Sequence, residues 1–289
     1  MLPYSTLQQA EATVGRELTF AEKLWFNYSA NIPDYIINVH GFIFLLLVYS
    51  LIPLPYVLAE LSKSKEMNKY KIQPKVKRPF SDIFSCYKNV MQIFLLGGPM
   101  LIITYSNMKL IGIRTNLPLP SKWEMFWQIL VYFVVEDYIN YWIHRWLHTK
   151  WGYEKIHHVH HEYTAPIAYA APYAHWAENL ILGTPTFLGP VFIPGHIVTF
   201  MLWLALRQIQ SLESHSGYDF SWNPIKYIPF YGGAEFHDYH HYVGCHSQSN
   251  FAPVFTYCDY LYGTNKGYLY HKSLLHKRDD WKPHQEDGD

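Results

Sequence analysis

From Tyr35 to Ala59 the chain carries no Asp, Glu, Lys or Arg, a run of 25 residues that is long enough to cross a hydrocarbon core of about 30 Å as one helix. Asn89 to Met108 is a second uncharged run, of 20 residues, and it contains Gly97-Gly98-Pro99. A membrane helix tolerates such a break where neighbours or water satisfy the backbone. The third apolar stretch, Met125–Val135, has only 11 residues before Glu136-Asp137 and continues through Tyr138, Tyr141 and Trp142. This pattern predicts a helix that crosses the bilayer and carries polar side chains out of its far end. Asn179–Leu206 is the fourth, 28 residues broken by Pro185, Pro190 and Pro194-Gly195. Two crossings need ~20 residues each, so a re-entrant or shallow helical hairpin over 179–206 is expected, turning near Pro190 to Gly195.

Around these runs the chain divides into four parts. Residues 1–34 form an amphipathic region in which Leu18, Ala21, Leu24, Trp25 and Tyr28 recur at helical spacing, suited to a membrane interface or to docking on the protein itself. No basic segment runs straight into an apolar core there, so no signal peptide is expected. Residues 35–122 hold the first two spans, joined by a loop with Lys63, Lys65, Lys69, Lys71, Lys75, Lys77 and Arg78; that basic cluster points to the cytosolic side. Residues 123–265 form one domain that includes the hairpin and holds the chemistry-bearing residues, and 266–289 a polar tail. The fold class expected is an all-α integral membrane protein whose transmembrane helices carry a helical, cytosol-facing histidine domain.

Composition removes other classes. Net charge is +0 with 16% charged and 18% aromatic residues, which excludes a nucleic-acid binder working through a basic surface. Cys86, Cys245 and Cys258 show no CxxC spacing, so neither a zinc ribbon nor a disulfide framework is indicated and a reducing setting fits.

The candidate chemistry lies in the histidines. His144 and His148 stand at i and i+4; His157, His160 and His161 stand at i, i+3 and i+4; His237, His240 and His241 repeat that spacing. On helices each set shares one face, so each set could share one metal. Packing does not account for eight such residues, because a buried imidazole needs partners for both nitrogens. Neutral imidazole suits Zn, Cu, Fe and Ni, and eight ligands exceed one ion, so two metals in one cage are expected. His215, followed four residues on by Asp219, is a further candidate ligand, as is His175 in Tyr173-Ala-His175-Trp-Ala-Glu178. Asp137, two helical turns before His144, is a candidate carboxylate for steadying an imidazole.

These three boxes resemble those of the fatty acid hydroxylase superfamily, integral membrane oxygenases with a non-haem di-iron centre. More narrowly, Glu136 to Gly267 is similar to the sterol 4α-methyl oxidases: His157-x-x-His160-His161-Glu-Tyr-Thr-Ala-Pro, Tyr173-Ala-His175-Trp-Ala-Glu178, His215-Ser-Gly-Tyr-Asp219-Phe and His237-Asp-Tyr-His240-His241 carry the resemblance. It extends over most of the chain and is strongest to the plant branch acting on 4,4-dimethylsterols. The sequence departs from that pattern at His158, Ser221 and Cys245-His246, none of which removes a box histidine; His246 is not counted as a ligand.

The resemblance implies two irons held by His144, His148, His157, His160, His161, His237, His240 and His241, with His215 as a ninth ligand. Asp219 would bind iron or accept a hydrogen bond from a ligating imidazole. It implies oxidation of the 4α-methyl group of a 4,4-dimethylsterol to alcohol, aldehyde and carboxylate, with O₂ and electrons from cytochrome b5 and an NAD(P)H-dependent reductase. Decarboxylation would belong to partner enzymes, and the setting would be the endoplasmic reticulum membrane, multi-pass, with the site facing the cytosol. The aromatic residues Trp142, Trp146, Trp151, Tyr169 and Trp176 are candidates for lining the substrate's path. Two alternatives use the same histidines: hydroxylation of a fatty acid or sphingoid chain, and metal carriage. A carrier wants sites in series across the membrane, whereas these sets cluster; a bis-histidine haem protein leaves most of them unexplained.

Overall fold

The computed structural model describes residues 3–97, 108–244 and 247–281. Among them the regular structure is helical, with β-pairing limited to isolated bridges. Helices α1 (Leu7–Val14) and α2 (Phe20–Ser29) start where Thr6 and Thr19 accept from the backbone of Gln9 and Glu22, and Glu22 closes a capping box on Thr19. Trp25 Nε1 donates to the Thr115 carbonyl at 2.9 Å, and Leu18 and Phe26 are buried with Tyr4 and Leu117. The amphipathic region thus docks on the protein itself, while Phe20 and Leu24 stay outside.

Helices α3 (Asp34–Leu51) and α4 (Leu54–Ser62) are separated only by Ile52-Pro53. The run Asp34–Ser62, which contains an 18-residue window of mean hydropathy 2.3, is long and apolar enough to cross a membrane by length and composition, and is alone in this among the described residues. Its outer side exposes Ile43, Phe44, Leu47, Leu51 and Leu58. After the short α5 (Lys65–Asn68), helix α6 (Phe80–Gly97) packs Cys86 and Val90 against Tyr49, Tyr169 and Leu212. The second expected span begins on α6, and its continuation over 98–107 lies outside the described residues.

The long helix α7 (Lys122–Leu147) is capped by Ser121 and spans about 39 Å at 1.5 Å per residue. It leads through α8 (Lys150–Lys155) to the second histidine box. Helices α9 (Trp176–Gly183) and α10 (Pro185–Phe192) then run back along α7. Close approach requires Gly189, where a Cβ would lie 2.7 Å from Tyr132 Cδ1. At the tip, Tyr132 Oη donates to the Ile193 carbonyl at 2.7 Å, and Arg114 exchanges backbone bonds with Gly195 and Ile197 at 2.9 and 2.8 Å. Helix α11 (Ile197–Ser214) returns to the histidines. Each leg is about 25 Å long, and the hairpin reaches from the histidines to the loop at Arg114.

Helices α12 (Gly233–Val243), α13 (Tyr257–Tyr262) and α14 (Lys266–Trp281) complete the chain, the polar tail being helical as far as Trp281. The basic segment lies at the histidine end. Ile72 N donates to the Gly217 carbonyl at 3.0 Å and Asp219 N to the Tyr70 carbonyl at 2.8 Å, and Lys71 forms a buried ion pair with Glu60 at 2.6 Å. The Arg114 loop, the hairpin tip and α2 lie together at the other end.

Candidate metal centre

Helix α7 ends by delivering buried His144 from its last turn and His148 from its cap. The second box is a 3₁₀ helix, His157–Glu162, not the α-helix expected, so His157 and His160 stack one above the other. Helix α12 supplies His237, His240 and His241, and the residue that closes α11 is His215. The boxes do not each build one site. His144, His148, His157, His161 and His240 converge in one cluster, and His160, His215, His237 and His241 in another, all buried, each with its ligand atoms within 4.8 Å of one another. The second and third boxes each contribute to both clusters, which makes the two sites one structural unit.

Within the first cluster Nε2 of His157 lies 3.0 Å from that of His144 and 3.1 Å from that of His161, and His148 lies 3.0 Å from His240. In the second, His215 lies 3.2 Å from His160 and 3.0 Å from His237, and His237 lies 3.2 Å from His241. Two ligands at right angles around one ion, each at about 2.1 Å, stand about 3.0 Å apart. The tautomers argue the same way. His160 Nδ1 donates to the Tyr173 carbonyl at 3.0 Å and His215 Nδ1 to the Ser211 carbonyl at 2.8 Å. Each neutral ring then presents a lone pair at Nε2, and two lone pairs facing each other require a cation to accept both. Burial holds these rings neutral, with His160 pushed down to about 4 and His157, His161, His215, His237, His240 and His241 driven well below the usual imidazole range by burial and then by one another. An all-imidazole donor set of this kind fits iron, as it fits zinc or copper.

The outer nitrogens are held by few groups. His144 Nδ1 donates to the Phe251 carbonyl and His240 Nδ1 to the Ser249 carbonyl, both at 2.8 Å. That segment is set by Asp259, whose carboxylate accepts from Phe251 N and Ala252 N at 3.0 and 2.9 Å. His157 Nδ1 meets Glu178 Oε1 at 2.9 Å. Burial raises Glu178 and lowers His157, and a cation bound at the far nitrogen would favour an imidazole N–H donating to the carboxylate. Among the described residues Nδ1 of His161, His237 and His241 meets no acceptor, leaving those rings oriented by packing and by whatever their Nε2 binds.

A cavity of about 390 Å³ ends on the clusters, with His144, His157, His160, His215 and His237 in its wall. The rest is mostly apolar, with Phe42, Leu45, Leu46, Tyr49, Phe94 and Leu212 from α3, α6 and α11.

The fatty acid hydroxylase family profile matches residues 129–264, a stretch that contains every clustered histidine. Over 278 residues the chain is 61% identical to methylsterol monooxygenase 1-2 of Arabidopsis thaliana, covering 95% of this chain and 93% of that protein. The chain belongs to the fatty acid hydroxylase family. It is also 61% identical to a very-long-chain aldehyde decarbonylase of Oryza sativa subsp. japonica, over 96% of this chain and 92% of that one. To methylsterol monooxygenase 2-2 of Arabidopsis thaliana it is 37% identical, over 90% of this chain and 98% of that one. No solved structure matches the chain.

Several candidate residues stand away from the two clusters. Asp219 joins neither cluster; its Oδ2 accepts from Lys226 Nζ at 2.7 Å at the partly exposed surface. The α11 helix stops at Ser214 and Gly217 takes φ +74°, so the four-residue spacing from His215 carries no shared face. Asp137 holds no imidazole, because its Oδ1 accepts from Val254 N and Phe255 N at 2.9 and 3.0 Å. His175 caps α9 by accepting from Ala177 N. His158 is exposed, and Cys245 and His246 lie outside the described residues. Of the aromatic candidates, Trp142, Trp146, Trp151 and Trp176 are on the outside and Tyr169 is packed with Tyr49 and Tyr87; none lines the cavity. Glu178 and Asp259 were visible only as acidic residues inside the motifs, with nothing in their spacing to tie them to His157 or to the backbone beside His144.

Proposed function

We propose that the protein is a methylsterol monooxygenase that oxidises the 4α-methyl group of a 4,4-dimethylsterol. The observation that carries this reading is the apolar cavity ending on imidazoles from both clusters. An unactivated methyl offers neither an acidic proton nor a leaving group, so acid–base and nucleophilic catalysis cannot begin on it. When bound, two irons supply the O₂ and one-electron chemistry that the side chains lack. Three rounds are required, each consuming one O₂, two electrons and two protons: methyl to alcohol with one water formed, alcohol to aldehyde with two, and aldehyde to carboxylate with one. Cytochrome b5 and an NAD(P)H-dependent reductase are the electron source that the family resemblance implies, and the carboxylate is then a substrate for a separate decarboxylase.

The chain's own part is to hold and to exclude. Phe42, Leu45, Leu46 and Phe94 bury an apolar ring system and keep water from the reacting carbon, while Glu178 and the 249–251 carbonyls fix the rings of His157, His240 and His144. The seven basic residues at the histidine end support an active site on the cytosolic side, and the apolar run Asp34–Ser62 supports residence in a membrane, for which the endoplasmic reticulum is our assignment.

The rice relative keeps a second reading open, conversion of a very-long-chain aldehyde. Membranes containing the protein, supplied with NADH and O₂ and offered a 4,4-dimethylsterol, a 4α-methylsterol and a long-chain aldehyde, separate the two. A carboxysterol product with the aldehyde untouched is expected. Conversion of the aldehyde to a hydrocarbon one carbon shorter, with both sterols recovered unchanged, would overturn the proposal.

A further inference from the structure

The ridge leading to the first histidine cluster begins earlier on α7. Glu136, Asn140, His144 and His148 follow at four-residue steps, about 6 Å apart along the axis. Glu136, Asn140 and His144 all line the cavity. Glu136 Oε1 accepts from Asn140 Nδ2 and from Arg207 Nε, both at 2.8 Å, and Arg207 Nη1 donates to Gln210 at 2.7 Å. The remaining oxygens, Glu136 Oε2 and Asn140 Oδ1, are buried without a donor in residues only 1% and 3% exposed. A buried acceptor left unpaired is destabilising. Glu178 Oε2, beside His157, and Gln208 Oε1 are the other unpaired acceptors among the residues of this wall, but the Glu136–Asn140 pair alone lies one helical turn before His144, and it marks the place of a ligand group that donates.

We infer that Glu136 and Asn140 receive the 3-hydroxyl of the sterol. The inference rests on the methylsterol reading above. In a sterol the hydroxyl stands on the ring carbon next to C4, so a group that fixes the hydroxyl also fixes the 4α-methyl one bond along the ring. Asn140 precedes His144 by one helical turn, which sets that methyl against the wall formed by His144 and His157 while the apolar remainder lies along Leu45, Leu46 and Phe94. Arg207 anchors the Glu136 carboxylate, and Glu136 in turn orients the Asn140 amide so that Oδ1 faces the cavity. An aldehyde accepts hydrogen bonds and donates none, so the same pair of acceptors selects against it. A site built around a substrate hydroxyl rejects the analogue lacking it.

The test compares a 4,4-dimethylsterol with its 3-deoxy analogue, in the full-length protein in membranes. In the parent, kcat/KM for the deoxy compound should be at least about 10-fold lower. In Asn140→Leu that preference should shrink several-fold, because the hydroxysterol slows and the deoxysterol does not, with bound iron per chain unchanged. Equal kcat/KM for the two sterols in the parent overturns the inference, and that arm does not depend on the variant folding. A variant that slows both sterols alike, leaving the preference intact, also overturns it and assigns Asn140 to proton delivery or structure. If the parent oxidises neither sterol, the methylsterol reading falls first and takes this one with it; if it oxidises both equally, only this one falls.

Discussion

Nε2 of His160 and Nε2 of His215 lie 3.2 Å apart although both rings have given their Nδ1 proton to a backbone carbonyl. That arrangement is repulsive in an empty protein and attractive around a cation. His215→Ala should therefore lower bound iron by at least one ion per chain, measured by mass spectrometry of purified protein, and abolish turnover. Full iron content in that variant would remove His215 from the ligand set and leave the second cluster with three imidazoles.

Glu178 orients His157 from 21 residues further along the chain. Glu178→Ala should cost about 10- to 100-fold in metal affinity or activity. Glu178→Gln keeps an oxygen that accepts from Nδ1 and should retain more of both than the alanine variant. Equal losses in the two variants would show that the carboxylate's charge, rather than the hydrogen bond, is what matters.

Asp219 should be nearly silent. Its ion pair with Lys226 is partly exposed, and such pairs contribute about 0–1 kcal/mol. Asp219→Asn is expected to oxidise sterol within about 2-fold of the parent rate with unchanged iron content; a loss of 10-fold or more would return Asp219 to the metal site despite its geometry.

The reach and the limit of the sequence show in these same residues. Spacing at three and four residues found eight of the nine clustered histidines, because that spacing records which side of an element is shared; His215 was reached through the family resemblance and through a spacing to Asp219 that the fold does not use. It does not record which other element that side meets, so the division of the second and third boxes between two clusters was not legible. Nor was the 3₁₀ form of the second box. The rule failed at Asp219 because it holds only inside a continuous helix, and α11 ends one residue before His215. The partners of Nδ1 are set by tertiary packing, with 107 residues separating His144 from Phe251, and no local pattern carries that. Apolar runs located α3 and α7, but the hairpin's depth depends on the Gly189 contact with Tyr132 and the pairing at Arg114 rather than on its hydropathy.

The two ends of the molecule give a topological prediction. Tyr70 to Ile72 pairs with the segment just after His215, whereas Arg114 pairs with the hairpin tip. In intact microsomes a tag inserted at residue 70 should be digested by added protease and a tag at residue 115 protected, since the basic segment belongs on the cytosolic side. Digestion of both would place the Arg114 loop on the same side and contradict a membrane between the two ends.

On the proposed reading, this pair of histidine clusters drives O₂ into the methyl carbon of a sterol. Incubation of the iron-loaded protein in membranes with a 4,4-dimethylsterol, NADH and ¹⁸O₂, followed by mass analysis of the sterol fraction, tests it most directly. The account predicts a 4α-carboxysterol carrying at least one oxygen-18, and no such product from His160→Ala. A carboxysterol free of oxygen-18, or a sterol recovered unchanged from protein whose iron content is full, would contradict it.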